Sequence, residues 1–330
     1  MTRFIRLAAN QPADRFYRGG EKIRDFRGEG SSGDRVPEDW VGSTTTLFGE
    51  ESVGLSVLPD GRRLRDAVAA DPLRWLGADH LARYGADTML LVKLLDAGER
   101  LPVHIHPLRE FAHSHLGRQH GKAEAWCILD GGEVHLGFRR EVSEAELGRW
   151  VAEQDTAAML EAMHVIAVRP GDSVYVPAGL PHAIGDGLFL VEIQEPEDLS
   201  ILLEWKGFAI DGEEQGHLGL GFGRSLEAVD RRGWSAEEIA GLVVRDGRGD
   251  GTLAPASNGF FRAERLCVTG RTELDAGFGV LVVVDGRGRM SGSGDDIELA
   301  AGDTILVPHA AGDVTVTGQL TLIRCRPPVA

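Results

Sequence analysis

Apolar and polar positions alternate along this chain in two rhythms. Residues 61–84 carry leucine, valine, alanine and tryptophan at helical spacing, which predicts a helical stretch broken near Asp71-Pro72. From residue 88 the texture changes to "TMLLVKLLDAGERLPVHIHP", "AEAWCILDGGEVHLGF" and "VIAVRPGDSVYVPAGLPHAIGDGLFLVEIQE". These runs predict strands separated by Asp-Gly, Gly-Gly and Pro-Gly turns. A helical insert interrupts them. Ser143 and Glu146 have capping-box spacing, and Leu147, Trp150 and Val151 supply an apolar stripe. A second helical zone is expected at 225–244, where Ser235 and Glu238 repeat that spacing before Ile239 and Leu242. The first 60 residues lack a clear period, and "RGEGSSGDR" followed by "PEDWVGSTTTLFG" predicts short strands and loops.

The tail returns to strands and echoes the middle. "RPGDSVYVPAG" at 169–179 recurs as "AAGDTILVPHA" at 300–310, sharing Gly-Asp-[Ser/Thr]-x-x-Val-Pro. In both copies a Gly-Asp turn leads into an apolar strand that ends at proline, which predicts two related β-sandwich or barrel modules. Composition agrees: 44 glycines among 330 residues are roughly twice the usual share of about 7%, as many tight turns require.

Charge and cysteine use narrow the function. Acidic residues outnumber basic ones by 51 to 35, giving a net charge of -16. Such a surface repels phosphate backbones and anionic bilayers, which argues against nucleic acid and membrane as partners. Cys127, Cys267 and Cys325 are widely spaced and form no CxxC, so a reducing compartment without a disulfide framework is expected. No signal-peptide core or membrane-length apolar run is present, so the expected location is the cytoplasm.

The candidate chemistry lies in residues 101–126, "LPVHIHPLREFAHSHLGRQHGKAEAW", which hold five histidines. His104 and His106 stand two apart on a strand and therefore share a face, with Leu101, Val103 and Ile105 opposite. Glu124 sits in the next run, and His182 follows the turn "VPAGLP". Three histidines and a carboxylate from consecutive β-segments suit Zn²⁺ or another borderline divalent ion, with positions left open for substrate. His113 and His115 are expected in an irregular polar loop, as is His120, and His309 stands alone in the tail module.

These residues resemble the cupin metal motif, and the finer pattern is similar to the type I mannose-6-phosphate isomerases of the short bacterial type. The family's [Gln/His]-x-His-Pro, Gly-Lys-x-Glu-x-Trp and Gly-Asp-x-x-x-[Ile/Val]-Pro-Ala-Gly-x-x-His-Ala-Ile-Gly read here "HIHP", "GKAEAW" and "GDSVYVPAGLPHAIG". Glutamine is usual where His104 stands. The resemblance covers residues 35–205 and extends to a metal-free second cupin in the last third. It implies a mainly β fold of two cupin-type β-barrel or jelly-roll modules with helical insertions. The expected division is an N-terminal segment (1–60) packing on the first barrel, a metal-binding cupin (61–205), a helical linker region (206–250) and a C-terminal cupin-like module without metal (251–330).

By function the resemblance implies a zinc-dependent aldose–ketose isomerase, one ion per chain, acting as monomer or homodimer on a small-molecule sugar or sugar phosphate such as mannose 6-phosphate. Such a reaction moves a proton between adjacent carbons, so it needs an acid/base beside the metal. Lys122, two residues before Glu124, shares its side of the strand and matches the family's lysine. Glu192 alternates with Leu190 and Gln194, which places it on the barrel interior or at the rim, and Glu195 follows it. The family carries an arginine where "LSILLEWKGF" has Ile201. The next arginine, Arg224, precedes a helix expected near Ser225, where it would bind an anion or stabilise an enediolate, or else stand on the surface. Three alternatives stay open. One is an isomerase or epimerase on a different or non-phosphorylated sugar, another a different metal-cupin reaction such as dioxygenation, and the third a sugar-binding cupin without turnover.

Overall fold

A computed structural model describes residues 4–31 and 33–330 of the chain. Residues 1–3 and 32, which fall in the stretch expected to form short strands and loops, lie outside the described residues. Three antiparallel sheets form two β-modules. In the first module a six-stranded sheet runs in the order Val243–Val244, Ser173–Val176, Glu124–Asp130, Phe189–Gln194, Leu91–Asp96, Glu38–Val41. A five-stranded sheet runs Ile201–Leu202, His104–Ile105, His182–Ile184, Gly132–Phe138, Met163–Val168. Trp126, Leu190 and Leu94 from the larger sheet pack with Leu136 and Ile184 from the smaller one, all buried. The second module is the sheet Ile5–Arg6, Thr304–Val307, Gly279–Gly292, Val314–Arg326, Arg262–Leu274, with Asp295–Ala300 paired to Gly279–Gly292.

The repeated motif occupies matching places. Gly171 and Gly302 both take positive φ (94° and 89°) at the turns that open Ser173–Val176 and Thr304–Val307. Only glycine takes that conformation without steric cost, which is why the turn recurs as Gly-Asp.

The helical stretch at 61–84 is three short helices, Leu64–Ala70, Pro72–Leu76 and Ala78–Tyr84. The break falls at Asp71, whose side chain caps the second by accepting from Arg74 N. The insert is Glu144–Glu153, capped by Ser143, followed by a helix not expected from the pattern, Thr156–Ala162, capped by Asp155. Its stripe of Leu147, Trp150 and Val151 packs with Val103 and Ile105 from the back of the His104–Ile105 strand.

The zone 225–244 is less helical than expected. It holds Phe222–Ser225, a 3₁₀ turn at Leu226–Ala228 and Ala236–Ala240, the last with a complete Ser235–Glu238 capping box. The N-terminal segment contains a helix, Glu21–Arg27, and serves both modules. Ile5–Arg6 pairs with Thr304–Val307, whereas Glu38–Val41 pairs with Leu91–Asp96. No helix among the described residues is long and apolar enough to cross a membrane.

Candidate metal centre

The site forms where the two sheets of the first module face each other. On the small sheet His104 lies directly opposite His182. His106 joins them just past the strand end, with ring centroids 4.9 Å from His104 and 4.9 Å from His182. Two backbone approaches set this arrangement. Gly179, at φ 87°, donates its N–H to His106 O at 2.7 Å, so the Pro-Ala-Gly turn is clamped to the histidine strand. Gly121 sits so close that an added Cβ would lie 2.5 Å from Pro107 O, and Lys122 N donates to that same oxygen at 3.1 Å. The Gly-Lys-x-Glu segment is thereby drawn against His106.

All three imidazoles are oriented the same way. Nδ1 of His104, His106 and His182 lies 2.8, 2.7 and 2.8 Å from the carbonyls of Pro102, Leu199 and Leu180. A carbonyl only accepts, so each Nδ1 carries the proton and each Nε2 presents a lone pair to the centre. Ligand atoms of the three rings lie within 4.8 Å of one another. Glu124 brings Oε2 to 3.0 Å from His106 Nε2 and Oε1 to 3.4 Å from His182 Nε2, and Trp126 Nε1 steadies Oε1 at 3.0 Å.

Burial, then the Lys122 charge, pulls the His106 pKa down to about 3, and burial with His182 pulls His104 well below its usual value. Burial alone would raise Glu124, but the adjacent Lys122 charge, followed by the His106 contact, more than offsets it and holds the carboxyl well below the usual range. Neutral imidazoles beside an ionised carboxylate are the protonation states that a divalent ion requires. His182 Nε2 is fully buried with no hydrogen-bond partner among the described residues. An unpaired buried lone pair is costly, so the donor set fits a metal.

The larger sheet supplies the rest. In one row Trp40, Lys93, Glu192 and Trp126 lie opposite one another and so share a face. Lys122 Nζ lies 3.0 Å from His106 Nε2, 3.1 Å from Glu124 Oε2 and 3.9 Å from Glu192 Oε1. Lys93 Nζ lies 3.2 Å from Glu192 and 3.6 Å from Glu38. Burial raises the Glu192 pKa, opposed by Lys93 and reinforced by Glu124. These groups line one small cavity, about 30 Å³, with Arg15, Asp198 and Leu202.

Lys122 and Glu192 thus stand beside the imidazoles, and Arg224 does not. Arg224 lies in the last turn of Phe222–Ser225, half exposed, and pairs with Glu227 at 2.9 Å. Its neighbours Gly223 and Glu227 line a different groove, between the insert helix and Trp205. The expected helix start near Ser225 is instead a helix end, which removes the anion site argued from it. Glu195 turns away to Ala123 N (2.9 Å) and Arg109.

Leu202, opposite His104 in register, lines the cavity, whereas Ile201 packs in the insert core. Leu101 lines the cavity too, rather than the opposite face. His113 and His115 are exposed on a helix, Arg109–Leu116, rather than in a loop, because Phe111, Ala112 and Leu116 give it an apolar side. His120 is buried against Asp87 at 2.8 Å. Lys93, Glu38 and Arg15 were not singled out from the sequence. The available signal for Lys93 was a lone charge inside "LLVKLL", which is buried only when paired.

Comparison with known proteins agrees with this architecture. Residues 252–327 match the family model described as "Mannose-6-phosphate isomerase, cupin domain". The chain is 27% identical over 316 residues to a mannose-6-phosphate isomerase of Streptococcus mutans, covering 92% of this chain and 93% of that one. It is 28% identical over 252 residues to mannose-6-phosphate isomerase ManA of Bacillus subtilis, covering 71% and 73%. Among solved structures, a putative mannosephosphate isomerase from Archaeoglobus fulgidus superposes with a TM-score of 0.78 at 20% identity, covering 100% of this chain and 99% of that one. The mannose 6-phosphate isomerase of Bacillus subtilis superposes with a TM-score of 0.74 at 23% identity, covering 99% and 100%. The chain is thus similar to mannose-6-phosphate isomerases along nearly its whole length in sequence and in fold, and its last third matches their cupin domain.

Proposed function

We propose that this protein is a zinc-dependent aldose–ketose isomerase interconverting mannose 6-phosphate and fructose 6-phosphate. The observation that carries the proposal is the meeting, in one buried cluster, of three imidazoles presenting Nε2 with the Glu124 carboxylate, the Lys122 ammonium and the Glu192 carboxyl. His104, His106, His182 and Glu124 would hold the ion. When bound, it supplies Lewis-acid stabilisation of negative charge developing on a sugar oxygen.

The chain's own groups handle protons and position. Glu192 Oε1 is buried without a hydrogen bond among the described residues and sits between Lys93 and Lys122, and burial raises its pKa, which favours a general base. In this reading it removes the proton from C2 of the aldose and returns it to C1. Lys122 donates to the substrate oxygen that gains charge, and Lys93 keeps Glu192 in place. The domain organisation that accompanies this reading assigns catalysis to residues 61–205 and support to residues 251–330.

The test is conversion of mannose 6-phosphate followed by NMR with metal-stripped and zinc-reloaded protein. Fructose 6-phosphate should form only after reloading, and in D2O Glu192→Gln should suppress both turnover and exchange of the C2 proton. Absence of turnover by metal-replete protein on any hexose phosphate would overturn the proposal.

A further inference from the structure

Arg15 enters the same cavity from the N-terminal segment, remote in sequence from every other cavity residue except its neighbours Phe16 and Tyr17. Its side chain is 13% exposed, and Nε lies 3.1 Å from Glu38 Oε1. Glu38 is already saturated: Tyr17 Oη reaches Oε1 at 2.5 Å and Trp40 Nε1 reaches Oε2 at 2.7 Å, with Lys93 Nζ at 3.6 Å. A guanidinium has five N–H donors. One is spent on Glu38, and among the described residues no acceptor takes the four on the Nη atoms. Asp198, the other carboxylate at this end, already accepts from Phe48 N at 3.1 Å. A mostly buried cationic fork with free donors at a cavity wall is complete only when an anion arrives with the ligand.

The order of groups gives that anion a place. Outward from the imidazoles come Lys122, Glu192, Lys93, Glu38 and then Arg15, each ion-paired to the next. With C1 and C2 of a hexose at the imidazole end, C6 points toward Arg15. The position that faces His104 across the small sheet is Leu202, which offers no charge.

We propose that Arg15 binds the phosphate of a hexose 6-phosphate and is the residue that selects phosphorylated over free sugars. This rests on the isomerase reading above for the placement of C1 and C2. The test is calorimetric binding of mannose 6-phosphate and of mannose to zinc-loaded protein, with turnover measured in parallel. The variants are Arg15→Lys and the double variant Arg15→Gln/Glu38→Gln, which removes both members of the buried ion pair and so leaves no unpaired charge to unfold the module.

Wild-type protein should prefer the phosphorylated sugar by roughly 10²-fold or more, the scale of a charge-assisted fork. The double variant should bind the two sugars within about threefold of each other, with KM rising more than kcat falls, and Arg15→Lys should lie between. A preference that survives in the folded double variant, or a wild type without preference, would overturn the assignment. An Arg15-dependent preference without turnover would sink the isomerase reading alone, and turnover without preference would sink the Arg15 assignment alone.

Discussion

Replacing Lys122 with methionine keeps most of the side-chain volume and removes an ammonium that lies 3.0 Å from His106 Nε2 and 3.1 Å from Glu124 Oε2. Both atoms belong to the proposed ligand set, so the ammonium and the ion compete for them. In stripped wild-type protein Lys122 neutralises Glu124, which is 2% exposed. In stripped Lys122→Met that carboxylate keeps only the Trp126 Nε1 hydrogen bond at 3.0 Å and its imidazole neighbours.

Breaking a buried pair by removing one member costs about 3–5 kcal/mol, and the retained hydrogen bond favours the lower end. With the ion bound, the carboxylate is compensated in both proteins. The ion should therefore stabilise the variant by about 3 kcal/mol more than the wild type. At about 2 °C per kcal/mol for a chain of this size, the Tm gap between loaded and stripped protein should widen by about 6 °C. In the loaded variant kcat/KM should fall by roughly 10²-fold, the scale of one acid/base group, at unchanged zinc content. Thermal melts with and without chelator, metal analysis and turnover on one preparation measure all three. An equal or narrower Tm gap would refute the charge-balance argument. Wild-type turnover would refute the catalytic role.

His106→Ala should lose the ion, because three remaining ligands hold it more weakly, and stoichiometric metal in the purified variant would contradict the ligand set. Arg224→Ala, which removes only a half-exposed pair with Glu227, should leave kcat/KM within about twofold, as surface changes usually do; a tenfold loss would return it to the site. His309→Ala should leave metal content and turnover unchanged, since His309 packs on Gly77, where a Cβ would lie 2.7 Å from its ring; the expected effect is a lowered Tm. Gly121→Ala places a Cβ 2.5 Å from Pro107 O and 2.6 Å from Arg109 N, and should lower both Tm and kcat/KM by displacing Lys122, about 1–3 kcal/mol of overpacking strain. Wild-type values for both would show that the segment yields freely.

Which features could be read from the chain follows from the range of the forces involved. His104, His106, Glu124 and Lys122 depend on two-residue spacing along strands, and His182 on a turn motif, so their common face follows from alternation. Capping is local too, yet competition can alter it. Ser143 accepts from Glu146 N as the spacing predicts, but the Glu146 carboxylate goes to Arg140 at 2.7 and 2.9 Å instead of closing the box.

The cavity's remaining charges depend on register across strands distant in sequence. Lys93 is buried because Glu192 stands directly opposite, and nothing within "LLVKLL" names that partner. Arg15 and Glu38 come from a segment without periodicity, so no face could be assigned. Arg224 is the next arginine after Ile201, but sequence adjacency to a helix carries no distance to the imidazoles. His113 and His115 suggested a polar loop because their neighbours are polar, and the weaker spacing of Phe111, Ala112 and Leu116 decided for a helix.

The strand Ile5–Arg6 lies on the far module from the cavity that Arg15 enters only nine residues later. It covers one side of Thr304–Val307, whose other side is held by Gly279–Gly292. The two modules are therefore not beads that a protease or a gene fusion can part at residue 250. A fragment beginning there would carry Thr-Ile-Leu-Val as a bare sheet edge, its backbone donors and acceptors open to any passing strand. Such a fragment would invite self-association, while the shortened remainder would carry the lost strand as a loose tail. Arg27 adds to this pairing by donating to Gly302 O and the Thr304 hydroxyl, so moving the C-terminal module into another protein would require bringing a substitute for Ile5–Arg6 along.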